Sequence, residues 1–141
     1  MKKTAITMVV LLFATGMCAQ KMQQRNVPVK VKSSFQILYP AARNVKWDKE
    51  GKEYEASFHA NKTDNSVLLD LQGNIIETEV EIQLNQLPIG ILEYVKTQYG
   101  KETKEGTKII DAEGRVTYEV EFKGMDLIFD SNGKFIKEFK D

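Results

Sequence analysis

The stretch YEVEFKGMDLIFDSNGKFIKE, residues 118–138, decides the fold, because much of it has already been written once. Tyr118, Val120 and Phe122 alternate with Glu119 and Glu121, the period-two pattern of a strand with one apolar and one polar face. DSNGK, residues 130–134, then interrupts the chain. An Asp folds its carboxylate onto backbone two residues on, and a Gly supplies the left-handed conformation that closes a hairpin. Sixty residues upstream, DLQGN at 70–74 repeats that turn, and YEASF at 54–58 repeats the strand before it.

The duplication extends towards the N-terminus. VPVKVKSSFQILY and LPIGILEYVKTQY each place a tyrosine, Tyr39 and Tyr99, eleven residues after a proline, Pro28 and Pro88. A proline suits the first turn of a helix, where its missing N–H costs nothing. Val31, Phe35 and Leu38 recur at helical spacing, as do Leu92, Val95 and Tyr99 with Ile91 alongside, so each helix has one apolar stripe to bury. Glu50-Gly51 and Glu113-Gly114 mark a further pair of hairpin turns. The units differ in one interval: Tyr54 to Asp70 spans sixteen residues and Tyr118 to Asp130 twelve. The extra residues, within 59–65, predict a longer exposed loop. The pattern predicts an α+β fold: a tandem repeat of two units, about 27–83 and about 87–141, each one helix packed on a four-stranded antiparallel sheet. One such unit is marginal alone, and a second lets it bury more surface and hide a sheet edge.

Pro28, Phe35, Tyr39-Pro40, Val45, Trp47, Tyr54, Pro88 and Tyr118, with Asp70-Gly73 and Asp130-Gly133, together resemble the PepSY-like family related to β-lactamase-inhibitor proteins. The likeness runs through nearly all of the chain after residue 19. It implies a small exported α+β domain that binds or inhibits proteins, or serves as an interaction module in the periplasm. The family offers no catalytic motif, so it assigns no functional residue here.

The first nineteen residues read as a signal peptide. Lys2 and Lys3 precede an apolar run from Ala5 to Met17 that is too short to span a bilayer. Cleavage is expected after Ala19, with a second candidate site after Gly16. The single cysteine, Cys18, raises the alternative of a lipid-bearing N-terminus, but Thr15 and Met17 stand where lipoprotein processing wants an aliphatic and a small residue. Cleavage after Ala19 leaves 122 residues without cysteine, so no disulfide framework is available. Removing Lys2 and Lys3 leaves 18 basic against 20 acidic residues, which gives no electrostatic case for nucleic acid or an anionic membrane. The expected location is the periplasm or outside the cell, without stable membrane insertion.

Catalysis finds little to work with. His59 is the single histidine, and no nucleophile or orienting partner accompanies it in sequence. The chain lacks HxxxH, CxxC, GxSxG and glycine-rich phosphate motifs. The two Asp-x-x-Gly turns do not carry the spaced oxygen ligands of a calcium loop. NKT at Asn61 is a glycosylation sequon only where that machinery exists. No enzyme activity, cofactor or metal is expected.

The strand faces say more. Tyr54, Ala56 and Phe58, and Tyr118, Val120 and Phe122, should pack beneath the helices, joined by Ile76, Val80 and Ile82. Trp47, which alternates with Val45, is expected in the core. The other side collects Glu55, Ser57, Glu119 and Glu121, with Ile75, Glu77, Glu79 and Glu81. Alternation also sends Leu68, Ile128 and Phe135 to that side, and Phe139 beyond them. Apolar anchors among acids on an open sheet are the ingredients of a protein-binding face. Leu68, Ile128, Phe135, Glu77, Glu79, Glu119 and Glu121 are therefore the candidate binding residues, the partner being an unidentified protein or peptide. The rival readings are a structural or chaperone-like protein that adds strands at its sheet edges, and a sensor of small ligands or cations on the acidic face.

Overall fold

The computed structural model describes residues 20–103, 105–122 and 124–140; the predicted signal peptide, its expected cleavage after Ala19 and the candidate lipid site Cys18 lie outside these. The predicted helix–strand order is present in both halves. After β1 (Gln20–Met22) come α1 (Val29–Leu38), β2 (Arg43–Glu50), β3 (Glu53–Ala60), β4 (Thr63–Leu69) and β5 (Ile75–Ile82). Then follow α2 (Ile91–Tyr99), β6 (Gly106–Asp111), β7 (Val116–Phe122), β8 (Met125–Asp130) and β9 (Phe135–Lys140).

The expected four-stranded sheet per unit is not what forms. All nine strands among the described residues belong to one antiparallel sheet in the order β1 to β9. The halves join through β5 and β6, with Glu77 opposite Asp111 and Ile82 opposite Gly106. The ninth strand follows from the repeat itself. A shift of sixty residues carries β1 onto the end of β5, and the short 3-10 turn Gln24–Asn26 onto Leu84–Gln86. Met22 pairs with Trp47 as Ile82 pairs with Gly106, so the tail of one unit's last strand opens the next unit.

Both helices lie on one face. Val31 and Phe35 of α1 are buried over Trp47, Tyr54, Ala56, Phe58, Val67 and Leu69; Phe35 meets Trp47 and Phe58 edge-on at 5.3 and 5.2 Å. Ile91 and Val95 of α2 are buried over Val120, Phe122, Leu127 and Phe129. The stripes are narrower than predicted: Leu38 and Leu92 are exposed. Trp47 is in the core, as expected.

The Asp turns are built identically. Asp70 Oδ1 accepts from the Gln72 and Asn74 N–H groups at 2.8 and 2.9 Å, and Asp130 Oδ1 accepts from Asn132 and Lys134 at the same distances. Asp111 does likewise with Glu113 and Arg115, a third copy that the Glu-Gly reading overlooked. Gly73 docks its turn on α1 with φ +82°, and a Cβ there would stand 2.2 Å from Ser34 Oγ and 3.2 Å from the Lys30 carbonyl. Gly114 has φ +78° but open space around it. Gly114→Ala should therefore cost only the left-handed backbone, about 1–2 kcal/mol. Gly73→Ala should cost clearly more, since Ser34 must also move. Equal losses in urea melts would show that the docking against α1 does not matter.

Two expectations fail for reasons of strand geometry. The extra residues of the first unit do not form a long loop. Asn61 and Lys62, at φ 53° and 68°, make a tight two-residue turn, and the surplus lengthens β3 and β4 instead. Both positive φ values match the twist of a hairpin. Second, Phe135 does not lie on the side of Leu68 and Ile128. A register shift sets Ile128 opposite Lys137 but Phe129 opposite Phe135, so one residue of β9 is left over as a bulge. Phe135 thereby turns under α2, stacked on Tyr94 at 5.2 Å and edge-on to Phe129 at 5.9 Å. The same shift between Leu68 and Leu69 turns Ile75 into the core beneath α1, and leaves Ile76 on the opposite face, the reverse of the predicted assignment.

Candidate functional site

The face away from the helices carries a checkerboard of acids and apolar groups. Leu68 stands between Glu55 and Glu77 on its neighbouring strands, and Ile109 between Glu79 and Thr117. Ile128 stands between Glu119 and Lys137. Glu121 pairs with Asp126, and Asp126 with Phe139, on the same side. Among the described residues, neither helix packs here.

The sheet curls towards this side. Bulges increase local twist, and one sits at the same place in each unit. Ile109 and Ile128 form a small cluster across the intervening β7. Lys137 on β9 and Glu77 on β5 act on each other's charge, although a flat sheet would keep strands four apart at about 19 Å. Leu68 and Ile128 thus lie on the face to which alternation assigns them, but they are 1% and 0% exposed. They are floor rather than protruding anchors.

The acids are buried with them. Glu55, Glu77, Glu79 and Glu119 are each 5% exposed or less, while Glu121 is half-buried. Ser66 Oγ donates to Glu79 Oε2 at 3.1 Å, and Glu79 also shares a hydrogen bond with Glu77. Burial pushes the Glu55 and Glu77 carboxyls up to about 7, helped by the charges of Glu50 and Asp111 respectively. Burial together with Glu77 pushes Glu79 up to about 8, and burial together with Glu79 pushes Glu119 up to about 9. Like charges this close cannot all ionise in low dielectric, so the cluster keeps protons at neutral pH. It is an acidic patch in sequence and a partly neutralised one in the fold, with Glu79 and Glu119 holding protons at neutral pH.

Of the residues picked out in sequence, the fold brings together Leu68, Ile128, Glu77, Glu79, Glu119 and Glu121; Phe135 lies on the other side. Ile109, Ile76 and Lys137 join the face without having been selected. Ile109 shares a period-two row with Thr107 and Asp111, opposite Glu79, and Lys137 shares one with Phe139, which carries the signal for these two; nothing local marks Ile76. His59 sits at the rim, its Nδ1 3.0 Å from Asp64 Oδ1 across the β3–β4 hairpin, with both side chains exposed. Among the described residues no group of three or more His, Cys, Asp or Glu side chains is placed to hold a metal ion. None of the described helices is long and apolar enough to cross a membrane.

A family model described as "Putative beta-lactamase-inhibitor-like, PepSY-like" matches residues 17–77 and again residues 76–137. The chain belongs to this family. The two matches meet within β5, the strand whose tail opens the second unit. The PepSY-like fold recurs in solved structures. One, from Bacteroides eggerthii and described as a "putative periplasmic" protein, superposes with a TM-score of 0.70 at 16% identity, over 81% of this chain and 88% of its own. A "BLIP-like protein" from Bacteroides fragilis superposes at 0.58 with 23% identity, over 80% and 86%. These identities establish a shared fold. No curated protein sequence matches the chain.

Proposed function

We propose that this PepSY-like protein is an exported, non-catalytic binding module that engages another protein through the curled face of its sheet. One observation carries the reading. On a wide face that neither described helix covers, the more exposed Ile76, Lys137 and Phe139 stand around a floor of apolar groups and carboxyls in alternation, with Leu68 and Ile128 at equivalent places in the two units. Solubility alone does not call for apolar groups such as Ile76 and Phe139 on this side, whereas a partner surface uses them among polar neighbours. The description of the fragilis neighbour as BLIP-like, and of the eggerthii one as periplasmic, agrees with an inhibitor-like role outside the cytoplasm. Strand addition is the weaker reading: β9 carries Lys137 and Lys140, the usual protection of a sheet edge.

The test is a pull-down from periplasmic extract, followed by calorimetry on variants of the recovered pair. Ile76→Asp with Lys137→Glu alters the face at partly exposed positions, avoiding the fully buried Leu68 and Ile128. Ile37→Asp, at a residue 78% exposed on α1, is the control. The face variant should weaken binding by about tenfold or more. Undiminished affinity there, with loss in the Ile37 variant, would move the binding surface to the helices.

A further inference from the structure

On the helix side, the 3-10 turn Gln24–Asn26, α1 and β2 enclose a cavity of about 310 Å³, at the small end of ligand pockets. The buried rings of Phe35 and Trp47 form its floor, and half-buried Tyr39, Ala42 and Val45 supply an apolar wall. Gln24, Lys32 and Gln36 are its polar lining, and among the described residues no carboxylate borders it. The repeat shows that this place is not part of the common scaffold. Sixty residues on, Leu84 and Leu92 stand for Gln24 and Lys32, and Gly106 takes the pairing position of Trp47. There Leu84 packs into the second core, and Leu87 closes over Gly106, 3.0 Å from where a Cβ would stand. Tyr99 donates to Glu138, whereas its equivalent Tyr39 engages no described group through its hydroxyl. Lys32 likewise has no carboxylate within ion-pair distance among the described residues.

Charge sets the sign of the ligand. From Gln20 to Trp47 the chain carries six basic residues and no acidic one, whereas the matching residues 80–106 include four acids. A cleft bordered by one sign of charge concentrates the opposite sign. Lys32, Gln36 and Tyr39 follow one another at helical spacing along the same flank of α1, and all three line the cavity. Lys32 offers three N–H donors and no acceptor, and a carboxylate receives them as charge-assisted bonds. We propose that this cavity binds a small organic acid, its carboxylate accepting from Lys32 Nζ and its hydrocarbon body lying against Tyr39, Ala42 and Val45. The site is on the helix side, so it stands independently of the curled face and of any partner bound there.

Trp47, the single tryptophan, lies in the floor and reports occupancy. Titration with phenylpropionate and with hexanoate should give a saturable change in its emission, with saturable ¹⁵N amide shifts at Tyr39, Ala42 and Val45. Phenylpropionamide, of the same shape but uncharged, should bind about tenfold or more weakly, and so should either acid to Lys32→Gln. Lys30 lies on the flank where the Asp70 turn docks and donates to Gln72. Lys30→Gln removes the same charge there and should change affinity by less than about twofold. Amide dispersion verifies that both variants are folded. Absence of saturation with both acids, equal binding of the amide, or undiminished binding in folded Lys32→Gln would overturn the proposal. Equal losses in the two lysine variants would replace the site with diffuse attraction to a basic surface. Tighter binding of a peptide ending in phenylalanine than of phenylpropionate would overturn the assignment to a free acid.

Discussion

Phe129→Ala should destabilise the protein by about 3–5 kcal/mol, the usual cost of emptying a large buried aromatic site. Phe129 is fully buried, edge-on to Tyr94 at 5.6 Å, and sits under α2 with Val120 and Leu127. Its counterpart sixty residues earlier is Leu69, also fully buried, beneath α1. Leu69→Ala should cost about 2–5 kcal/mol. Each substitution empties a different cluster, yet each should shift one common unfolding transition, because six residue pairs between β5 and β6 weld the units into one sheet. Urea melts followed by tryptophan fluorescence and by circular dichroism provide the check. Trp47 reports on the first cluster, so its transition should move with Phe129→Ala although the two residues lie in different clusters. Two separated transitions would show that the units unfold independently.

Stability should fall as pH rises from about 5 to about 9. Glu55 and Glu77 at about 7, Glu79 at about 8 and Glu119 at about 9 all lie above the ordinary value of 4.5. Over that interval the folded chain binds more protons than the unfolded one, and the slope of stability against pH is negative. The contribution of these groups is complete below about pH 4.5 and is lost as pH passes through their folded values. One pKa unit is worth about 1.4 kcal/mol, and the four titrate as a coupled set, so a loss of about 3 kcal/mol or more is expected rather than a simple sum. Below about pH 4 the sign reverses. Asp70 lies below its usual value through hydrogen bonds from Asn74, and Asp111 through those from Arg115. Thermal melts across the range would show it, and Glu79→Gln with Glu119→Gln should flatten the alkaline limb. A melting temperature that climbs between pH 5 and pH 8 would mean the carboxyls are ionised in the fold.

The repeat, the helices and the hairpin turns were legible because each rests on chemistry confined to a few residues. Asp70 and Asp130 must be followed by a glycine three places on, and Val31 with Phe35 must share a helix face. The bulges were not, because a bulge is a choice between adjacent residues of the same kind. In Phe135-Ile136 and Ile75-Ile76 both members are apolar, and strict alternation picked the wrong one each time. The doubled apolar pair just after each Asp-x-x-Gly turn is the trace that could have revealed it. The length of the β3–β4 hairpin was hidden for another reason: Asn61-Lys62 reaches the left-handed region without glycine. The burial of Glu77, Glu79 and Glu119 was the deepest miss. An alternating Glu reads as solvated, and only the curvature accumulated over nine strands makes it otherwise.

The strand order has a consequence for how the chain reaches this shape. Every strand lies beside the strand that precedes it in sequence, so no pairing waits for a distant segment to arrive. The longest closures, from β1 to β2 and from β5 to β6, each enclose one helix, and loop-closure entropy grows only slowly with such lengths. A sheet of nine strands would ordinarily belong among slow folders, whose contacts join remote parts of the chain. Here the ladder can zip from any hairpin outward. A pull on its two ends would open it in the reverse manner, one rung at a time from the edges, with the β5–β6 seam among the last to part.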